Sequence, residues 1–286
     1  MSFYVRCILI LFFVLLAIIQ LSQFVGEQSP YPAVLYVAKS ITQDEVRLLD
    51  LQTGFERTLT QHESIGILDV APTGDILVTT HAQVGSILNI LHPITYTLTA
   101  TVHGIDDNPM WSPSADRVAY RRYYYQGGLY VFTRGEWPPR PLDIRATAIS
   151  WSPDGTVLAY SRWSEIANQE EIRIIDPITR NDSLLAGWRK PVRFMRWSPD
   201  GSQIALVTIS GELYMLDLAT QEFTPLWTES GQVRMIQWTP DGRFLGVAYT
   251  KNRQTTLRIY SANNQLRDEF TLPQFTTTSS FDWYRP

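Results

Sequence analysis

Trp151-Ser152-Pro153-Asp154-Gly155-Thr156-Val157-Leu158-Ala159-Tyr160 is the stretch on which the fold of this chain turns. A strand ending at Trp151 can reverse through Ser-Pro-Asp-Gly. Ser suits the first position of a type I turn, Pro presets φ at the second, and Gly accepts a conformation that a side chain disfavours. Val157 to Tyr160 then leaves as a second strand of apolar and small residues. WSPDGSQIALVT (from Trp197) and WTPDGRFLGVAY (from Trp238) are the same unit. WSPSADRVAYRR (from Trp111) is a variant with Ser114 and Ala115 in place of Asp-Gly, and VAPTGDILVTT (from Val70) keeps Pro72 and Gly74. A last copy begins at Trp283 in FDWYRP. The copies are spaced by 41, 40, 46, 41 and 45 residues, the length of a four-stranded propeller blade.

Inside each unit a third strand recurs, as in EIRIIDPITR, GELYMLDLATQEF and TLRIYSANNQL, and Asp50, Asp176 and Asp217 follow it at the next turn. A fourth strand leads to the next Trp. AVLYVAKS (Ala33 to Ser40) reads as a second strand with no Trp turn before it, and SSFDWYRP reads as a first strand with nothing after it. Joining the two completes a sixth blade and removes two open sheet edges. The expectation is an all-β, six-bladed β-propeller of four-stranded antiparallel blades over residues 32–286, closed by N- and C-terminal strands that share one blade.

The Trp-Ser-Pro-Asp-Gly units resemble the WD40-like propeller repeat of the TolB type, which also occurs in the propeller domains of prolyl oligopeptidase-like peptidases. That resemblance covers the whole chain after its N-terminal segment. It implies a propeller outside the cytoplasm that acts by binding partner proteins. A separate α/β domain of the TolB kind has no counterpart here, and no room remains for a hydrolase domain with a Ser-His-Asp set.

The N-terminus addresses location. From Cys7 to Val25 runs CILILFFVLLAIIQLSQFV, 19 residues without a charge, long enough as a helix to span roughly 28 Å of hydrocarbon. Arg6 and the terminal amine precede it, which keeps that end cytoplasmic. The expectation is therefore a cytoplasmic tip and transmembrane signal-anchor helix at 1–26, a short linker at 27–31, and a propeller held outside the cell membrane as a single-pass protein. The alternative is secretion after signal cleavage, for which the small-residue pattern after the apolar core is poor.

Composition narrows the function. The chain of 286 residues carries 24 Lys+Arg against 28 Asp+Glu, a balance that speaks against nucleic-acid binding. The single cysteine, Cys7, removes disulfides, zinc–thiolate sites and a thiol nucleophile from the propeller. His62, His81, His92 and His103 lie close in sequence but lack the spacing of a ligand pair, so no metal and no cofactor are expected. Asp154, Asp200 and Asp241 recur in the same turn of successive blades and read as turn residues, together with Pro72, Gly74, Trp111, Pro113, Trp151, Pro153, Gly155, Trp197, Pro199, Gly201, Trp238, Pro240, Gly242 and Trp283.

Two aromatic–arginine groups stand out on the loops expected to form the binding face, those before the Trp strands and after the second strands. One is Arg121, Arg122, Tyr123 and Tyr125; the other is Trp188, Arg189 and Arg193. Arg and Tyr dominate interface hot spots, so these are the candidate contacts for a protein or acidic ligand. The residues just before the repeat Trp, notably Asp69, Arg196, Gln237 and Asp282, could line a central channel or pair between blades. With no catalytic set in sight, the sequence points to a non-catalytic protein-binding or scaffolding module. A channel-centred hydrolase, lyase or cyclase, or a carbohydrate-binding or sensory ectodomain, is the alternative.

Overall fold

In the computed structural model, the described residues are 31–40, 42–81, 86–92, 98–105, 107–122, 128–136, 138–142, 144–227, 232–252, 254–272 and 280–284. They form six four-stranded antiparallel sheets and no helix. The expected anchor segment lies outside them. No helix among the described residues is long and apolar enough to cross a membrane.

Each sheet is one blade. Its inner strand enters the Trp turn and its second strand leaves it. In blade 4 the inner strand Ala148–Trp151 pairs with Leu158–Ser164, then Gln169–Ile175 and the outer Asp182–Trp188 follow. Blade 1 is built from both ends of the chain. Inner strand Phe281–Tyr284 pairs with Ala33–Ala38, with Ala33 opposite Tyr284 and Tyr36 opposite Phe281. Val37 N–H adds a bond to Ser280 O at 3.0 Å. The six blades and the shared closing blade are thus as the repeat predicts.

The turns explain why the repeat is written as it is. Ser152 Oγ accepts from Val157 N–H at 3.1 Å and donates to Asp154 Oδ1 at 2.6 Å, while Asp154 Oδ1 also accepts from Thr156 N–H at 3.0 Å. Ser198 with Asp200, and Thr239 with Asp241, repeat the arrangement. Gly155 stands at φ 69°, where a side chain would be strained. The variant turn of blade 3 keeps the device by other means. Ala115 takes the left-handed position at φ 57°, and Asp116, two residues later than the usual Asp, accepts from Ser112 Oγ at 2.8 Å.

The core lies between blades. Trp151, Ala119 and Met110 share one cluster, and Trp238, Ala205 and Val247 another. In each the indole of one blade faces a small residue on the second strand of the blade before it. At the closing seam that small residue is Gly246, and a Cβ built there would meet Trp283 Cζ2 at 2.7 Å.

Candidate functional site

The Pro-Gly turns are short, and among the described residues a funnel of about 480 Å³ opens on their side of the ring. Its walls are Trp111, Trp151, Trp197, Trp238 and Trp283 with the turn prolines Pro72, Pro113, Pro153, Pro199 and Pro240. Its floor takes one residue from each inner strand: Asp282, Asp69, Met110, Ser150, Arg196 and Gln237, in blade order.

These floor residues, expected either to line the channel or to pair between blades, do both. Asp69 Oδ2 accepts from Trp111 N–H of the next blade at 2.7 Å, Ser150 Oγ from Trp197 N–H at 2.8 Å, and Asp282 Oδ2 from Val70 N–H at 2.6 Å. Met110 has no acceptor in its side chain, and there the link runs from Trp151 Nε1–H to the Met110 carbonyl at 3.2 Å. A latch of one hydrogen bond thus ties successive blades at the ring's narrowest radius.

Three of the six carry charge, and all three are more than nine-tenths buried: Asp282 is 3% exposed, Asp69 4% and Arg196 7%. Arg196 Nε–H donates to Gln237 Oε1 at 2.6 Å and Nη1–H to the Met195 carbonyl at 3.0 Å. The Gln237 amide in turn bonds Asp282, so the guanidinium reaches that carboxylate only through an amide. No ion pair within 4.0 Å joins Arg196 to either aspartate. Burial pushes the Asp69 carboxyl up to about 8, with the Asp282 charge adding to the effect and Arg196 opposing it. Burial also raises Asp282, against its bonds from Val70 N–H, Gln237 and Trp283 N–H, and it lowers Arg196.

The aromatic–arginine groups map to the opposite face, at the far ends of their strands. Arg121 is not a surface contact. It is 6% exposed, with Nη1–H donating to the carbonyls of Ala146 (3.1 Å) and Thr147, so it ties blade 3 to blade 4. Arg122 lies over the Tyr130 ring at 5.4 Å. Tyr123 and Tyr125 lie outside the described residues. Trp188 stacks on Phe223 of the next blade with centroids 4.0 Å apart and meets Tyr214 edge-on. Arg189 and Arg193 are exposed, the latter lying over Phe194. Proximity in sequence had grouped these residues as contacts, whereas the adjacent-blade geometry employs Arg121 and Trp188 in packing.

The described histidines stay apart. His81 Nδ1 pairs with Ser86 Oγ at 2.8 Å and His62 Nδ1 accepts from Ser64 N–H, and no group of three metal-ligating side chains forms among the described residues.

Comparison with known proteins agrees with the architecture. A family model described as the anaphase-promoting complex subunit 4 WD40 domain matches residues 195–274. No curated protein matches. Among solved structures, TolB from Acinetobacter baumannii superposes with a TM-score of 0.75 at 17% identity, over 90% of this chain and 67% of that one. A TolB from Agrobacterium tumefaciens gives 0.66 at 12% identity, over 83% and 88%. Oligogalacturonate lyase from Vibrio parahaemolyticus gives 0.55 at 14% identity, over 71% and 68%. The protein is a six-bladed β-propeller. Its particular likeness is to propellers of the TolB type, and at these identities the likeness is one of fold.

Proposed function

We propose that this protein is a membrane-anchored, extracytoplasmic propeller that works as a non-catalytic protein-binding module, with the funnel as its docking surface. The observation that carries the reading is the mouth of the funnel, a concave opening rimmed by the exposed prolines Pro72, Pro113, Pro199 and Pro240 with the half-buried Trp197, an apolar surface open to a partner. The described lining holds no histidine, cysteine or lysine, and its carboxylates are engaged in blade-to-blade latches. Binding rather than turnover fits that set. The fold shared with TolB-type propellers supports the same class of role, and the apolar run from Cys7 to Val25 supports the anchor.

Affinity capture from detergent-solubilised membranes tests the proposal. Glu substitutions at the exposed rim prolines Pro113 and Pro199 should abolish capture of the partner that the wild type retains. Ala substitutions at Arg189 and Arg193 on the far face should leave capture intact. The opposite pattern would move the docking surface to the far face. Membrane retention, and activity of an extracytoplasmic reporter fused after Pro286, test the anchor separately.

A further inference from the structure

The funnel floor holds charges of both signs that do not touch. Arg196 is linked to Gln237 and to a backbone carbonyl, and its remaining Nη hydrogens have no partner among the described residues. Asp69 receives one hydrogen bond, from Trp111 N–H on Oδ2, and its other oxygen has none. The two residues come from blades 2 and 5, three steps apart in a ring of six, so they face each other across the axis. Both border the cavity. Buried titratable groups of opposite sign are ordinarily paired directly. Among the described residues the two form no direct pair, and the space between them is part of the cavity.

We infer that the floor of the funnel is a binding site for a small zwitterion, an apolar α-amino acid, whose carboxylate meets the Arg196 guanidinium and whose ammonium meets Asp69. The chemistry follows from the two signs. A plain anion would meet Arg196 but leave Asp69 without a partner and face Asp282, and a plain cation would meet Asp69 but confront Arg196. Only a ligand carrying both groups a few ångströms apart completes the set. Ser150, whose Oγ accepts from Trp197 N–H, also lines the cavity as a further polar group. The remaining volume is rimmed by the turn prolines and the half-buried Trp197, which suits an apolar side chain such as that of leucine or phenylalanine. A cavity of about 480 Å³ lies within the usual size of small-molecule sites.

The raised Asp69 carboxyl adds a signature. Without ligand it holds its proton at neutral pH, and an arriving ammonium favours the carboxylate, so binding should release a proton. This inference goes beyond partner docking, which uses the rim and can proceed over an empty floor.

Isothermal titration of the full-length protein in detergent micelles, with L-leucine and L-phenylalanine as probes, tests it. Saturable binding should appear. It should weaken by at least about tenfold for leucinol, which lacks the carboxylate, and for 4-methylpentanoate, which lacks the ammonium. The measured heat should change with the ionisation enthalpy of the buffer, reporting the released proton. Arg196→Gln should abolish binding, and Asp69→Asn should weaken it and remove the buffer dependence. Since Arg196→Gln disturbs a buried group, the two one-sided analogues on wild-type protein carry the test if that variant fails to fold. No saturable binding of either amino acid up to about 10 mM, a free energy too weak to call a site, would overturn the inference. Equal binding of the one-sided analogues would overturn it as well. Partner capture by Asp69→Asn that remains at the wild-type level would show that the two functions of the funnel stand or fall separately.

Discussion

Gly246 sits under the indole of Trp283, so close that a single methyl on its Cα would lie 2.7 Å from Cζ2. Four blades hold alanine or leucine at the matching place on the second strand: Leu77, Ala119, Ala159 and Ala205 face the Trp of the following blade. Only at the seam where the two chain ends meet has that residue shrunk to glycine, and there Phe281 also lies within 3.1 Å of the missing Cβ.

Gly246→Ala should therefore destabilise the protein by about 1–3 kcal/mol through overpacking, read as a lowered denaturation midpoint. Trp283→Phe removes the ring edge that causes the clash. Combining it with Gly246→Ala should cost clearly less than the sum of the single changes, because residues in contact are not additive. Additive losses would show that the seam is not this tight.

Removing residues 279–286 should be far more damaging than the loss of eight residues elsewhere. It deletes the inner strand of blade 1 and leaves Ala33–Ala38 with unpaired, buried backbone groups. It also removes Asp282, the acceptor for Val70 N–H. Size-exclusion chromatography should find aggregate, or an ensemble without cooperative unfolding. A monomer with an unchanged melting temperature would contradict the shared blade.

Asp69 gives the stability a pH slope of defined sign. Its folded value is raised to about 8, whereas an unfolded Asp titrates near 3.9. The folded state therefore binds the extra proton, and this group's contribution is complete below about pH 4 and is lost as the pH rises through about 8. Asp69→Asn keeps an acceptor for Trp111 N–H but does not titrate. Its stability relative to wild type should climb steadily across that interval, measured by denaturant unfolding at several pH values. A constant difference would mean that Asp69 is ionised throughout.

Ser198→Ala should cost about 1–3 kcal/mol, because it leaves Gln203 N–H without its acceptor in a buried turn. It also deprives Asp200 of the hydroxyl that holds that carboxylate below its usual range. A lowered Asp stabilises the fold above its unfolded pKa and loses that contribution as the pH falls. The difference between wild type and variant should accordingly narrow in acid. Unfolding curves at pH 7 and at about pH 3 provide the comparison.

The architecture was readable from residues such as Trp151, Pro153 and Gly155 because a turn is a local matter. Three or four side chains settle its backbone, and their recurrence counts the blades. Even the degenerate turn at Ser114-Ala115 kept enough neighbours to be placed, although the takeover by Asp116 shows only in three dimensions. The floor residues were recognised by register, each standing one place before its Trp. What the sequence withheld was the open face of the ring and the fate of side chains at blade junctions. Arg121 and Arg193 look alike in a string, yet one is enclosed by the carbonyls of Ala146 and Thr147 and the other is exposed. That difference depends on how closely the neighbouring blade approaches, which no local pattern encodes. The opposition of Arg196 to Asp69 belongs to the same class, since their strands are linked only by closing the ring.

The pairing of Ala33 with Tyr284 also gives the molecule a direction. Tyr284 is the turn-side end of its strand, so its partner Ala33 starts at the mouth of the funnel. A tether over residues 27–31 can extend at most about 18 Å. An anchor ending at residue 26 would keep the funnel mouth within about that distance of the bilayer surface. Access to it then becomes a matter of height above the membrane. Small solutes would enter such a gap freely, and a protein partner would reach the mouth with a thin extended segment, or from the side when held at the same membrane surface.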